Sequence, residues 1–233
     1  MLHTTKPSHL SQIGLFASLP PEILNHIELC EPIAEFQTVA KNTIVQTPEE
    51  DKHGLFFVIE GVLRLFKTNA AGKQYTIGML SSGSIYGEID VFSMGTNGYY
   101  METLEDTVIG MISKEQAEQI LRTYPEVSLR FLSELSCRLH ERNEVLEKLT
   151  MNDLRGKVIF FLHKLSKRFG VKENNRHYIN LPFTHQELAN MIGGTRESVT
   201  LILQELAKEG AVITARKNIM VRVKKLNELL ENK

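Results

Sequence analysis

Residues 184–210 read T-H-Q-E-L-A-N-M-I-G-G-T-R-E-S-V-T-L-I-L-Q-E-L-A-K-E-G, and the rest of the chain can be read outward from them. Thr184 with Glu187 three residues on has the spacing of a capping box, and Leu188, Ala189 and Ile192 follow at helical intervals, so a short helix starts here. Gly193-Gly194 stops it. Thr195 then caps a second helix whose Val199, Ile202, Leu203 and Leu206 share one face, with Glu197, Thr200, Leu201, Gln204 and Lys208 on the other. The pattern predicts a helix-turn-helix. The exposed side of such a second helix can meet base edges in the major groove of double-stranded DNA. Arg196 can donate two hydrogen bonds to guanine, Glu197 can accept from cytosine, and Thr200 or Gln204 can pair with several bases. Thr184, Thr195 and Ser198 stand at helix starts, where hydroxyls and free N–H groups suit phosphate oxygens.

Charge is distributed to match. The net charge is −1, yet residues 1–150 hold 12 Lys/Arg against 20 Asp/Glu, whereas residues 151–233 hold 15 against 8. Local charge steers a polyanion, so nucleic acid is expected to meet the C-terminal part. At 233 residues and 42% apolar content the chain can bury one or two ordinary cores. No apolar run approaches the ~20 residues that span a bilayer, and the first residues lack the apolar core of a signal peptide, so a cytoplasmic protein with no membrane partner is expected. Cys30 and Cys137 are too few and too far apart for a disulfide framework.

Upstream, the periodicity changes twice. Leu15 to Leu24, with Pro20-Pro21, gives a short N-terminal helix. Short apolar or alternating runs follow at Phe36–Val39, Thr43–Gln46, Leu55–Ile59, Val62–Phe66, Tyr75–Leu80, Tyr99–Thr103 and Val108–Ile112, divided by glycine-rich turns. This predicts a small antiparallel barrel or sandwich. Ser113 with Gln116 opens a helix, and Pro125 opens a much longer one towards Thr150. Leu132, Leu135, Leu139, Leu146 and Leu149 on that helix fall at a and d of a heptad, interrupted by Arg142, and predict a homodimer. A break at Asn152 to Gly156, a helix Val158–Phe169, a polar loop Gly170–Arg176 and a strand His177–Pro182 lead into the helix-turn-helix. Beyond it, runs at Ala211–Thr214 and Ile219–Val223 flank a turn bearing Arg216 and Lys217, the tip of a wing that can meet phosphates. The expected class is α+β, with an N-terminal β-roll domain over 1–112, linker and dimerisation helices over 113–150, and a winged helix-turn-helix over 151–233.

This order of parts resembles the CRP/FNR family of bacterial transcription regulators over roughly residues 12–225. The resemblance is carried by Gly83-Ser84-Ile85-Tyr86-Gly87-Glu88-Ile89, similar to the opening of the family's phosphate-binding cassette, by Asp153-Leu154-Arg155-Gly156-Lys157, and by Thr195-Arg196-Glu197-Ser198-Val199. It implies a homodimer that binds a palindromic promoter site, reads bases through Arg196 and Glu197, and works with RNA polymerase. Leu201 stands where the family often has a basic residue, so an apolar contact with a thymine methyl replaces a guanine contact there.

The resemblance also implies an effector pocket at Gly87, Glu88 and Ile89, where cyclic-nucleotide binders hold the ribose with the glutamate and the phosphate with an arginine about ten residues later. Here the later positions read Asn97-Gly98-Tyr99-Tyr100, and no Lys, Arg or His lies between Lys73 and Lys114. A buried phosphate without a paired cation costs several kcal/mol, so cyclic AMP is not the expected effector. Arg130, Arg138 or Arg142 of the long helix could still reach in, and Tyr99 and Tyr100 could fill the pocket themselves. Two cysteines fall short of an iron–sulfur cluster, the eight histidines show no metal-ligand spacing, and no nucleophile with its base can be read. No cofactor is expected, the effector is open, and the alternative to a DNA-binding regulator is a small-molecule or thiol-sensing module acting through protein contacts.

Overall fold

A computed structural model of the chain describes residues 13–16, 19–30, 35–50, 53–89, 92–173, 176–179, 184–215 and 218–231. They fall into two compact units, residues 1–67 with 77–140, and residues 68–76 with 141–233.

The first unit opens with α1 (Pro21–Cys30), which has a proline as its first residue, where the missing N–H costs nothing. Among the described residues nine strands follow: β1 (Glu35–Val39), β2 (Ile44–Gln46), β3 (Gly54–Glu60), β4 (Val62–Thr68), β5 (Gln74–Ser81), β6 (Ile85–Ile89), β7 (Phe92–Ser93), β8 (Tyr100–Thr103) and β9 (Thr107–Ile112). They form two sheets, ordered β1-β9-β3-β6-β7 and β2-β8-β4-β5. Strand alternation explains the layering. Val58, Tyr86 and Ile109 of the first sheet meet Leu63, Leu65, Leu80 and Met101 of the second in one buried cluster. Leu55, Phe57, Ile85, Ile89 and Ile112, on the other face of the first sheet, join a second cluster with Ile27 of α1 and with two later helices, α2 (Lys114–Thr123) and α3 (Pro125–Met151). Ser113 caps α2 through the capping box its spacing with Gln116 implied.

Strand β6 was not among the expected runs, because Gly87 breaks its alternation. The structure explains the glycine. Gly87 has φ 112°, and a Cβ there would stand 2.2 Å from the Gly54 carbonyl oxygen of the paired strand β3. Only glycine lets these two strands close.

In the second unit, Asp153 accepts from the Gly156 N–H and starts α4 (Leu154–Phe169), four residues before the expected Val158. The glycine at 156 sits in the first turn of the helix instead of ending a hinge. The polar loop expected at Gly170–Arg176 is corrected to a hairpin, β10 (Gly170–Glu173) with β11 (Arg176–Ile179), paired from Gly170–Ile179 to Glu173–Arg176. Strand pairing needs only backbone groups, so polar residues such as Lys172, Glu173, Arg176 and His177 do not prevent it. Then come α5 (His185–Ile192), α6 (Arg196–Lys208), β12 (Val212–Ala215), β13 (Asn218–Val221) and α7 (Val223–Glu231). The sheet order is β10-β11-β13-β12, and the β12–β13 pair is the wing. Arg216 and Lys217, assigned to its tip, lie outside the described residues. Helix α7 was not foreseen beyond Val223; its Leu226 is fully buried.

Candidate nucleic-acid interface and effector pocket

Thr184 accepts from the Glu187 N–H and its own N–H is held by the Glu187 carboxylate, so the start of α5 is fixed by both halves of the box. Gly193 ends the helix in the left-handed region, φ 71°, which few other residues adopt cheaply. Thr195 accepts from the Ser198 N–H and starts α6. Val199, Leu203 and Leu206 on α6 are fully buried. The opposite face is open: Arg196, Glu197 and Gln204 are exposed, and Leu201 is 61% exposed. Thr184 and Thr195 are exposed, and Ser198 is half-buried. Thr200 is partly committed. Its hydroxyl donates to the Arg196 carbonyl at 2.8 Å, so the His185 Nδ1–H donates to Thr200 Oγ1 at 2.8 Å. What it offers outward is its methyl and one remaining lone pair. Burial, and next the charge of Arg196, hold the His185 imidazole below the ordinary histidine range.

In the first unit, Gly87, Glu88 and Ile89 do not line one pocket. Ile89 is buried in the cluster under the helices, whereas Glu88, the next residue along the strand, points to the other face of the sheet. The Glu88 carboxylate accepts from the Thr96 N–H at 3.1 Å and the Asn97 N–H at 2.9 Å. The Gly87 N–H donates to Thr96 Oγ1 at 3.1 Å, and buried Gln46 donates to the carbonyls of Thr96 and Tyr99 at 2.9 and 3.2 Å. The loop is thus tied down by the chain's own groups. The two tyrosines part company: Tyr100 pairs with Phe66 across β4 and β8 and stacks on its ring at 5.2 Å, on the face opposite to core residue Met101. Tyr100 is therefore not a filler of the inter-sheet space. Tyr99 carries Lys67 Nζ at 4.7 Å from its ring, a cation supplied by β4 from upstream of the cation-free stretch. Of the arginines on α3, Arg138 is spent: it donates to the Ile85 carbonyl at 2.7 Å and to Glu134 at 2.8 Å.

On α3 the leucines divide in a way the spacing alone did not separate. Leu132, Leu139 and Leu146 are 62%, 62% and 65% exposed, and Leu129, not among the expected seam, is 67% exposed. Leu135 instead packs against the helix-covered core of the first unit, and Leu149 is half-buried. The exposed leucines thus leave out Leu135, because Val127, Phe131 and Leu135 already use the inner face of the helix.

Both halves of the chain match known families. A family model for a Crp-like helix-turn-helix domain matches residues 156–231, and one for a cyclic nucleotide-binding domain matches residues 36–124. The cyclic AMP receptor protein of Thermus thermophilus is 30% identical over 159 residues, covering 68% of this chain and 70% of its own length. The chain belongs to the CRP/FNR family of transcription regulators. Another CRP/FNR relative, the global nitrogen regulator of Synechocystis sp., is 28% identical over 196 residues, 83% of this chain and 86% of its own length. The structure of FixK2 from Bradyrhizobium japonicum shares the fold at a TM-score of 0.73 and 18% identity, covering 84% of this chain and 96% of that one. The protein is accordingly a DNA-binding transcription regulator of the CRP/FNR type.

Within this CRP/FNR chain the sequence reading missed two positioning groups. Arg155 forks between Glu205 at 3.2 Å and both oxygens of Glu209 at 2.7 Å, fastening the C-terminal end of α6 to the start of α4. An arginine in a motif attributed to a hinge gave no sign of those partners, which lie about fifty residues on. His185 is the other, and its position as the first residue of α5 was the only available signal. Among the described residues no group of three His, Cys, Asp or Glu can hold a metal, and no helix is long and apolar enough to cross a membrane. Cys137 is exposed on α3.

Proposed function

We propose that this regulator acts in the cytoplasm as a homodimer on a two-fold symmetric duplex, reading each half-site through α6. The carrying observation is the outward face of that helix, with Arg196, Glu197, Leu201 and Gln204 exposed above a buried Val199, Leu203 and Leu206. Arg196 and Glu197 lie in the first turn, where recognition helices contact base edges, and Leu201 offers an apolar surface to a thymine methyl. Thr184, Thr195 and Ser198 hold phosphates near the helix starts, and Lys217 adds a wing contact. Thr200 contributes through its methyl. The protein works by binding and not by catalysis, and the β10–β11 hairpin is its contact with RNA polymerase, a reading that rests on the family resemblance.

The β-roll domain of this regulator does not take cyclic AMP. Glu88, which would meet a ribose, spends its carboxylate on the Thr96 and Asn97 N–H groups, and Arg138 is bound to Ile85 and Glu134. Lys67 rests on Tyr99. A phosphate would have to displace these bonds and gain a cation to offset its desolvation.

Selection of bound duplexes from a random pool by the purified protein, with and without cyclic AMP, tests both statements. A palindromic consensus recovered equally in both arms is expected. Recovery of no consensus removes the DNA reading, and recovery only with cyclic AMP removes the second.

A further inference from the structure

Arg196, Thr200 and Gln204 follow one another at four-residue steps and so stand in one line along α6. Whatever Thr200 turns outward therefore lies between two candidate base contacts, beside the exposed Leu201. A threonine in a helix divides between two side-chain rotamers, and the one it takes decides whether its hydroxyl or its methyl meets a groove. The bond from the Thr200 hydroxyl to the Arg196 carbonyl, 2.8 Å long, stays within one turn of α6 and competes with any acceptor offered from outside. The second partner of Thr200 Oγ1 comes from a different helix. It is His185 Nδ1, also at 2.8 Å and fifteen residues back, at the first position of α5.

We infer that His185 determines base specificity from outside the recognition helix: it holds Thr200 Oγ1 against α5, turns the Thr200 methyl to the groove and so makes this position a reader of the thymine methyl. The inference rests on the DNA reading proposed above. The hold is the same wherever the imidazole carries its proton. With the proton on Nδ1 the ring donates to Oγ1 while the hydroxyl donates to the Arg196 carbonyl; with it on Nε2 the hydroxyl would donate to Nδ1 instead. In both arrangements the oxygen faces α5 and its proton is used inside the protein.

The alternative rotamer would read differently. A hydroxyl turned outward can serve a donor or an acceptor on a base edge and so discriminates weakly, whereas a methyl is matched in the major groove only by the C5-methyl of thymine. Leu201, 61% exposed at the next position, extends the same apolar surface. The imidazole is well placed to hold the choice. The capping box at Thr184 fixes the residue before it, and the ring is half-buried. Leu188 and Ala189 of α5 and Val199 and Leu203 of α6 are fully buried, so packing sets the two helices and the bond at Thr200 is left to set the rotamer.

The full-length protein and the duplex it selects from a random pool test this, with each thymine of the site replaced in turn by uracil, which lacks only that methyl. The readout is the ratio of Kd on uracil to Kd on thymine, and not the affinity. A thymine whose ratio is about four in the unsubstituted protein and falls towards one in Thr200→Ser, which keeps the hydroxyl and loses the methyl, is expected. A thymine under Leu201 is told apart by its response to Leu201→Ala. At the Thr200 thymine, His185→Phe keeps a ring without the donor and should bring the ratio below about two. His185→Asn, whose side-chain amide stands in the place of Nδ1, should retain the higher ratio. In a Thr200→Val background, which has no hydroxyl to turn outward, adding His185→Phe should leave the ratio where it was. Urea unfolding on the same samples ensures that the ratio is read on folded protein. No thymine that answers to Thr200→Ser, an undiminished ratio in His185→Phe, a ratio lost in His185→Asn, or an equal loss in the Thr200→Val background overturns the role given to His185 and leaves DNA reading by α6 standing. Selection of no duplex overturns both.

Discussion

The helix-turn-helix and the β-roll each carry a conspicuous acidic residue beside a loop, and they use it in opposite ways. Glu197 stands exposed on α6, with the helix start capped by Thr195 and not by Glu197 itself. Glu88 is turned onto the backbone N–H groups of Thr96 and Asn97, so its charge is consumed inside the domain. A carboxylate whose neighbours satisfy one another is free to recognise a partner; one that serves as the neighbours' acceptor is structural. The same residue type in two glycine-flanked motifs therefore supports opposite functional readings.

Substitutions can break or sharpen that contrast. The largest effect is expected for Gly87→Ala, which brings a Cβ to 2.2 Å from the Gly54 carbonyl at φ 112°. A loss of about 3 kcal/mol or more in urea unfolding is expected, and a loss under ~1 kcal/mol would show that the two strands can part. Next come Arg196→Ala and Glu197→Ala, each expected to cost ~1–3 kcal/mol on the selected duplex, roughly 5- to 150-fold in Kd, with relaxed base preference. Fluorescence anisotropy against single-base variants of the site measures it, and unaltered preference in Glu197→Ala would take base reading away from that residue.

Glu88→Gln is expected to leave DNA affinity unchanged and to lower the stability of the first unit by about 1 kcal/mol, because a charged acceptor becomes a neutral one. Arg155→Ala should cost less, about 0.5–1 kcal/mol, since its partners Glu205 and Glu209 are largely exposed. It should weaken all duplexes alike; selective loss on one base would mean that the fork does more than hold α6.

The smallest effect is set by pH. The folded state binds a proton at His185 less readily than the unfolded chain does, owing to burial and then to Arg196. Its contribution to stability is therefore complete above the ordinary histidine range of ~6.5 and is lost as pH falls through that range towards the lowered folded value. His163 on α4 shifts the same way, through burial and then Lys167. Thermal unfolding at pH 7.5 and 5.5 should show a drop at the lower pH that shrinks in His185→Gln, and equal drops in both proteins would remove His185 as a cause.

Legibility in the sequence followed the range of the forces concerned. Capping boxes at Thr184 and Ser113, the turn at Gly193 and the buried face of α6 were readable because each is settled within four residues. The leucine spacing on α3 was readable too, but which leucines face outward was not. A helix has more apolar residues than one seam needs, and the core holding Val127, Phe131 and Leu135 decided the choice. The tyrosines were not separable by pattern either: Tyr100 begins β8 and stacks on Phe66, whereas Tyr99 lies just before the strand and carries Lys67 over its ring.

Local sequence thus determined most of the elements, with β6, β10 and α7 among the exceptions, together with the recognition helix with its outward Arg196 and Glu197 and the basic end of the chain, since helix caps, apolar periodicity and charge act over a few neighbours. Tertiary structure alone decided that Glu88 closes on the 96–97 loop, that Arg155 grips α6, and that the α3 stripe runs through Leu129. Those outcomes depend on groups brought together from distant parts of the chain, or on which face a packed core leaves over, and no local pattern encodes either.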